Sequence, residues 1–115
     1  MKLPPRIPKK AKRASRWRSQ AHLKHVRSHA CANCGSMVNI EAAHVRLGSG
    51  AGMGQKPDDF HAVGLCGGAE GCHARQHRVG EETFWKGRDL EALIEAYCRA
   101  SPRKAEIEAV KRERQ

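Results

Sequence analysis

The two cysteine pairs of this chain constrain its fold more than any other feature of the sequence. Cys31 and Cys34 are separated by two residues, and Cys66 and Cys72 by five. Two such pairs facing each other would supply the four thiolates of a tetrahedral zinc site. The spacing of the second pair is unusually wide, so the glycine-rich insertion between its two cysteines must loop out. Either Cys72 or His73 is then the fourth ligand. The sequence therefore predicts a structural zinc, with free buried thiols as the alternative.

The composition explains why such a cross-link is needed. Only 39% of the residues are apolar and 4% aromatic, whereas 30% are charged, so hydrophobic burial alone would leave the fold marginal. The basic, proline-containing amino terminus has no apolar signal-peptide core, and no apolar stretch approaches the roughly 20 residues of a membrane-spanning helix. We therefore expect a cytoplasmic protein whose paired cysteines bind metal rather than form disulfides. Cys98, without a partner nearby in sequence, is expected to be a small buried apolar residue.

The net charge of +10 originates in the amino-terminal part of the chain. Residues 1–30 hold ten Lys and Arg and no acidic residue, whereas the remaining residues hold twelve of each sign. The composition of residues 1–14 is typical of disorder, and a basic helix is possible over residues 15–30. We interpret residues 1–30 as a largely disordered arm that binds nucleic-acid phosphates, an interpretation that Trp17 between two arginines favours. A solvated tail, a targeting segment and an attachment to a protein partner are the alternatives.

Short strands and helices are predicted from residue 31 onwards. The pattern indicates a tight hairpin of residues 37–39 and 41–46, a glycine-rich loop over residues 48–59, a strand at residues 61–65 and a helix within residues 71–78. Asp89 is a candidate cap for another helix, which Ser101 and Pro102 would end. The sequence therefore predicts an α+β fold with a strand, strand, helix unit in a domain of residues 31–100, followed by a helical tail of residues 101–115 in which residues 103–115 are expected to fray.

Three histidines and an arginine are placed for metal-assisted hydrolysis of a phosphodiester. This reaction needs a deprotonated water and a cation that absorbs the developing charge. His44, on a predicted strand, is the candidate general base, and Arg46 on the same strand face could hold a phosphate oxygen. His73 and His77 are one helical turn apart, so their imidazoles can reach one metal ion. The alternative for each histidine is a structural role.

The order of these features resembles that of the HNH, or His-Me finger (ββα-metal), nucleases over residues 31–85. Within that family the chain is most similar to the phage recombination-enhancement (Ref) nucleases, through the runs AHVR at 43–46, GMGQKPDD at 52–59, QH at 76–77 and GEETFW at 80–85. The resemblance implies an HNH finger that cuts DNA with a divalent cation, expected to be Mg²⁺, held by the helix of His73 and His77. It also implies a bacterial or phage setting and action on double- or single-stranded DNA, with a RecA recombinase filament as partner.

One position departs from the family pattern. Many relatives have Asp or His immediately before the general base, where it binds the metal, and this chain has Ala43 there. Asp58 and Asp59 lie near the place of the family's middle Asn or His, so either is a candidate to fill the vacancy. A solvent-facing acidic turn after Pro57 is the alternative for both.

The sequence as a whole predicts a metal-dependent DNA endonuclease. A non-catalytic, zinc-ribbon-like DNA-binding protein is the main alternative, since the cysteines and the basic arm suffice for it. An RNA-directed or adaptor protein is a third possibility. Nucleoside triphosphate binding is not indicated, because the glycine-rich loop lacks the Gly-Lys-Ser/Thr ending of a P-loop.

Overall fold

The architecture of the chain is that of a small sheet surrounded by helices. The structure is a computed structural model that describes residues 16–52 and 54–114. The elements in chain order are α1 (Gln20–Arg27), β1 (Ile40–His44), β2 (Ala62–Cys66), α2 (Cys72–Val79), α3 (Glu81–Trp85), α4 (Leu90–Ala100) and α5 (Lys104–Glu113). The predicted α+β class is confirmed, and β1, β2 and α2 follow one another in the predicted order. None of the helices in the described ranges combines the length and apolarity that crossing a membrane requires.

The two-stranded sheet forms the centre of the core. β1 and β2 are antiparallel, with Ile40 opposite Cys66 and His44 opposite Ala62. Four of the five residues of β2 are buried, because α1 and α4 both pack against this strand. A Cβ at Gly64 would lie 3.1 Å from the Val26 carbonyl oxygen and 3.4 Å from the Tyr97 hydroxyl. The missing side chain therefore lets both helices approach the strand.

The predicted hairpin of residues 37–39 with residues 41–46 is wrong. Only Ile40–His44 forms a strand in this region, and its partner is β2, from the far side of the glycine-rich loop. Met37 and Val38 are 67% and 74% exposed, so they have no apolar surface against which to bury a strand face. Asn39 has a φ of 53°, a left-handed conformation that turns the chain into β1 rather than continuing an extended strand. The strand predicted at residues 61–65 is confirmed within one residue.

The disorder expected for most of residues 1–30 is wrong for residues 16–30, where the basic helix that the sequence allows is present as α1. Trp17, Leu23 and Val26 are buried, and Ser19 caps α1 by accepting a hydrogen bond from the His22 backbone nitrogen. These scattered apolar side chains suffice because the sheet and the carboxy-terminal helices cover them. Residues 1–15, the rest of the predicted arm, lie outside the described residues.

The carboxy-terminal helices are part of the core rather than a fraying tail. Asp89 caps α4 as predicted, accepting a hydrogen bond from the Ala92 backbone nitrogen, and α4 ends at Ser101. In α5, Ile107 is only 1% exposed. Close to the end of the chain, Arg114 donates to the buried Asp58 carboxylate at 2.8 Å. The expected fraying is therefore wrong for residues 103–114, because Ile107 of α5 is buried and Arg114, directly after α5, is paired with Asp58.

His22 gives a prediction about stability and pH. Its side chain is buried and bonded to Ser101 Oγ through Nδ1 at 2.8 Å, and burial, with the nearby His25, lowers its pKa to about 4. Because the unfolded chain binds this proton near its ordinary pKa of about 6.5, the stabilisation is complete above that pH and is lost as the pH falls towards 4. We expect His22 to account for about 2 kcal/mol of lost unfolding free energy between about pH 7.5 and about pH 5.

Urea denaturation at the two pH values measures this contribution. His22→Gln, which does not titrate, should show a smaller pH dependence than the wild type by that amount. His29→Gln, which changes an exposed position just after α1, is the control. An identical pH dependence in wild type and His22→Gln would contradict the prediction.

Candidate functional site

The four paired cysteines converge on one point. Their sulfur atoms all lie within 4.8 Å of one another, and the Cys34 and Cys66 sulfurs are 3.7 Å apart. Tetrahedral zinc with Zn–S bonds of about 2.3 Å places its sulfurs about 3.8 Å apart. The cluster could therefore hold a metal ion, and it contains Cys72 rather than His73 as its fourth member. Cys98 is buried elsewhere, bonded to the Phe60 carbonyl oxygen.

Local backbone geometry brings the sulfurs together. Within the first pair, the Gly35 nitrogen donates to the Cys31 carbonyl oxygen at 2.9 Å, and Gly35 has a φ of 77°, which favours glycine. The second pair closes through the insertion between β2 and α2, which places the Cys72 backbone nitrogen 3.3 Å from the Cys66 sulfur. Both turns direct backbone N–H groups towards sulfur, which stabilises thiolates.

The ionisation of the thiols points to a cation between them. Burial opposes ionisation of Cys31, but backbone hydrogen bonds at Cys34, Cys66 and Asn33 outweigh it and lower its pKa to about 6. Burial raises the pKa of Cys72 to about 12, and the neighbouring cysteines contribute to that increase. One thiolate therefore forms readily, whereas four adjacent thiolates require a positive charge among them. A divalent metal ion supplies that charge and deprotonates its thiol ligands.

Gly71 is expected to be required for this geometry. A Cβ at this position would lie 2.3 Å from the Gly67 carbonyl oxygen and 2.5 Å from the Cys66 carbonyl oxygen, so Gly71→Ala must move the insertion or the start of α2. We expect the substitution to weaken metal binding about 10- to 100-fold, measured by competition with a chromophoric chelator. Glu70→Ala, at an exposed position of the same insertion, is the control. Unchanged affinity in Gly71→Ala would contradict the prediction.

Three other predicted site residues line one open cavity beside the end of β1. The cavity has a volume of about 510 Å³, and His44, Arg46 and His77 all contribute to its wall. Lys56 adds a further positive charge and Glu81 a negative one. His73, Asp58 and Asp59 are not among the lining residues. The structure thus brings together the predicted base, the predicted phosphate-binding arginine and one predicted metal ligand.

A buried carboxylate holds the imidazole of His44. Its Nε2 atom lies 2.8 Å from Asp59 Oδ1, and the Asp59 side chain is only 3% exposed. Burial lowers the pKa of His44, the hydrogen bond to Asp59 partly offsets this, and the positive charges of Lys56 and Arg18 add to the lowering. The ring is therefore neutral at physiological pH, the protonation state that a general base requires.

The histidine pair of α2 has the geometry of two ligands for one ion. The His73 and His77 Nε2 atoms are 3.2 Å apart, close to the about 3.3 Å between two imidazole nitrogens on one tetrahedral zinc. His73 Nδ1 lies 2.9 Å from Glu41 Oε1, as carboxylates often orient metal-binding histidines. Two nitrogens suit zinc or nickel better than the predicted Mg²⁺, which prefers oxygen ligands. Among the residues that the structure describes, only the cysteines form a convergent group of three or more potential ligands.

Arg46 shapes the rim of the cavity. Its guanidinium donates to the Gly52 carbonyl oxygen at 2.7 Å and to the Gln55 carbonyl oxygen at 3.0 Å. Its backbone nitrogen donates to the Glu81 carboxylate at 3.0 Å. The side chain therefore fixes the glycine-rich loop over the cavity, a role that the sequence did not predict.

The interpretation of Asp58 and Asp59 as a solvent-facing acidic turn is wrong, since both residues are 2% exposed. Asp58 accepts hydrogen bonds from the Trp17 backbone nitrogen, Arg16 and Arg114. Burial acts to raise the pKa of Asp58, but the hydrogen bonds from Arg114 and the Trp17 amide and the positive charges of Arg114 and Arg16 outweigh it and lower the pKa. Asp58 thus joins the beginning and end of the described chain and lies outside the His44 cavity, where it was predicted to act.

Two residues at the cavity were given no role by the sequence. Glu81 accepts hydrogen bonds from the backbone nitrogens of Arg46 and Leu47 and so fixes the chain just after β1. Gln76 is fully buried and accepts a hydrogen bond from Trp85 Nε1 at 2.6 Å. Both lie in runs that carry the resemblance, but local spacing contains no signal for contacts with a distant strand end or with a ring nine positions later.

Comparison with known proteins assigns the family. A family model described as "Protein of unknown function (DUF968)" matches residues 4–97, which is more than half of the chain. The chain belongs to the DUF968 family. The DUF968 region includes the four clustered cysteines, the whole His44 cavity and α2, whereas α5 follows it. No curated protein and no solved structure matches the chain.

The DUF968 region thus contains two separate centres with different donors. Four sulfurs in a closed cluster suit a structural metal, since no position is left for a substrate. The second centre is the cavity lined by the imidazoles of His44 and His77 and by more positive than negative side chains, and it is open to solvent. These are groups that can take up a proton and attract an anion.

Proposed function

We propose that this protein is a metal-dependent DNA endonuclease of the HNH type, with the cysteine cluster as a structural zinc site. The observation that carries the proposal is the placement of His44 and His77 in the wall of one cavity with Arg46 and Lys56. A base, a metal ligand and cations for a phosphate are what hydrolysis of a phosphodiester requires. The strand, strand, helix order and the resemblance of residues 31–85 support the same function.

In this mechanism His44 takes the proton of the attacking water. Its Nε2 atom is engaged with Asp59, so its Nδ1 atom is the one that receives the proton. Arg46 and Lys56 attract the phosphodiester, and Glu81 keeps the end of β1 in place. A divalent cation held by His77 and His73 would stabilise the negative charge that develops on the phosphate.

DNA is the proposed partner because of charge as well as chemistry. The chain carries a net charge of +10, and a polycation gains affinity for DNA by releasing condensed counterions. The resemblance to the recombination-enhancement nucleases adds a RecA filament on single-stranded DNA as the proposed setting for cleavage.

One observation favours the rival function, a non-catalytic zinc-ribbon-like DNA-binding protein. Among the described residues, only the cysteines gather three or more potential metal ligands, so the second ion would depend on two histidines. A protein of that kind binds DNA with the same salt dependence but leaves it intact.

A cleavage assay separates the two functions. Plasmid and single-stranded DNA, each with and without RecA filament, are incubated with the zinc-loaded protein and with added Mg²⁺, Mn²⁺, Ni²⁺ or Zn²⁺. We expect cleavage that requires an added divalent ion and that stops with a chelator too weak to remove the zinc of the cysteine cluster. Salt-dependent DNA binding without cleavage under every condition would overturn the proposal and support the rival function.

A further inference from the structure

Asp59 has a different place in the fold from its neighbour Asp58, although both are 2% exposed. Its Oδ1 atom lies 2.8 Å from His44 Nε2, and its Oδ2 atom accepts a hydrogen bond from the Ser19 backbone nitrogen at 2.8 Å. Arg18 is 3.4 Å from Oδ1. Both carboxylate oxygens of Asp59 are therefore occupied by groups of the protein itself.

This arrangement argues against Asp59 as a metal ligand. A bound ion would have to reach a carboxylate that is almost completely buried and already accepts from His44, Arg18 and the Ser19 amide, and loss of any of these bonds would leave a donor without its partner. Asp59 also does not line the cavity that contains His44 and His77. It therefore does not fill the position that Ala43 leaves vacant.

The same contacts decide which nitrogen of His44 carries the proton. A backbone N–H can only donate, and the Arg18 guanidinium can only donate, so both stabilise Asp59 as an ionised acceptor. An ionised carboxylate 2.8 Å from Nε2 requires the hydrogen on that nitrogen. In the neutral ring Nδ1 then has a free lone pair, and no hydrogen bond to His44 Nδ1 is present among residues 16–52 and 54–114.

We infer that Asp59 is the positioning residue of His44: it holds the imidazole in the Nε2–H tautomer and orients Nδ1 as the proton acceptor. The part of this inference that concerns catalysis rests on the proposed nuclease function. Arg18 and the Ser19 backbone nitrogen donate hydrogen bonds to Asp59. The segment directly before α1 therefore helps to orient the base.

Asp58 offers a matched control for the test. It has the same burial, and it accepts from a backbone nitrogen and from arginines as Asp59 does, but it has no contact with His44. Asp58→Asn and Asp59→Asn should therefore destabilise the fold in similar ways, and only the second should affect the imidazole.

The first measurement is the tautomer of His44 by ¹⁵N NMR of histidine-labelled, zinc-loaded protein near neutral pH. We expect the Nε2–H form in the wild type and in Asp58→Asn, and loss of its dominance in Asp59→Asn. This measurement needs no activity. A wild-type His44 protonated on Nδ1, or an unchanged tautomer in Asp59→Asn, would overturn the inference even if the protein cuts DNA.

The second measurement is the kinetics of DNA cleavage. Asp59→Asn should lower kcat about 10- to 100-fold with KM close to that of the wild type, whereas Asp58→Asn should leave both near wild type at a temperature where it is folded. Equal losses of kcat in the two variants would assign Asp59 a merely structural role. Absence of cleavage in the wild type would refute the proposed function, and the tautomer would still decide the positioning role.

Discussion

Replacing Cys31 with serine is expected to release the metal ion bound by the four clustered cysteines and, as a result, to unfold the protein. A structural zinc contributes about 10–16 kcal/mol of apparent binding free energy in small zinc-dependent folds, whereas the net stability of a domain is about 5–15 kcal/mol. This chain has few apolar residues for its length, so it has little other stability to offset the loss. The cluster also joins the segment after α1 to β2 and α2, so its loss separates three parts of the core.

Metal content and circular dichroism, measured on the same samples, test this prediction. Cys98→Ser is the matched control, because Cys98 is equally buried but donates to the Phe60 carbonyl oxygen, a bond that serine can keep. We expect this control to retain one metal ion and to lose no more than about 1–2 kcal/mol. A Cys31→Ser protein that is folded and fully metal-loaded would show that the four sulfurs do not act as one site.

The second large effect is expected at His44. His44→Gln should lower kcat of DNA cleavage about 10²- to 10⁴-fold, the usual contribution of a general base. Glutamine retains an N–H donor for the buried Asp59, so the substitution removes the proton acceptor with less damage to the fold than alanine would cause. DNA affinity should change little, because the positive charges around the cavity remain.

His61→Gln is the control for this prediction. His61 also lies beside the end of β1, where its Nδ1 is 2.7 Å from the Val45 carbonyl oxygen, but it lines a different cavity, between the glycine-rich loop and α4. Single-turnover cleavage of labelled DNA by both variants, with unfolding curves for each, separates loss of chemistry from loss of structure. Comparable cleavage by His44→Gln and wild type would exclude His44 as the base.

The elements of the fold that could be predicted are those marked by residues only a few positions apart in sequence. The cysteine pairs, the helix that begins near residue 72 and the Asp89 cap all follow from residues a few positions apart, and the structure confirms each of them. The failures concern elements without such a signal. The sequence allows a basic helix over residues 15–30 but does not predict that Trp17 and α1 pack into the core, because their few apolar side chains are outnumbered by charges and are buried only by distant elements.

In the candidate site, too, residue types were predictable from the sequence, whereas contacts between distant segments were not. The chemical character of His44, His73 and His77 was evident from residue type and spacing, and the structure places His44 and His77 in one cavity. The support of that cavity was not predictable, since Asp59 is 15 positions from His44 and Glu81 is 35 positions from Arg46. Aspartates after a proline are typical of an exposed turn, and the donors that bury these two come from the amino-terminal segment and α5.

The sequence by itself determined that this chain has two cysteine pairs able to bind a metal ion and which side chains are able to perform acid, base and phosphate chemistry. These properties depend on residue type and on distances along the backbone of a few residues. Only the tertiary structure decided that Cys72 completes the cluster, that Asp58 joins the beginning and end of the described residues and that Asp59 holds His44. Each of these contacts links segments far apart in sequence, and their encounter depends on how the helices cover the sheet.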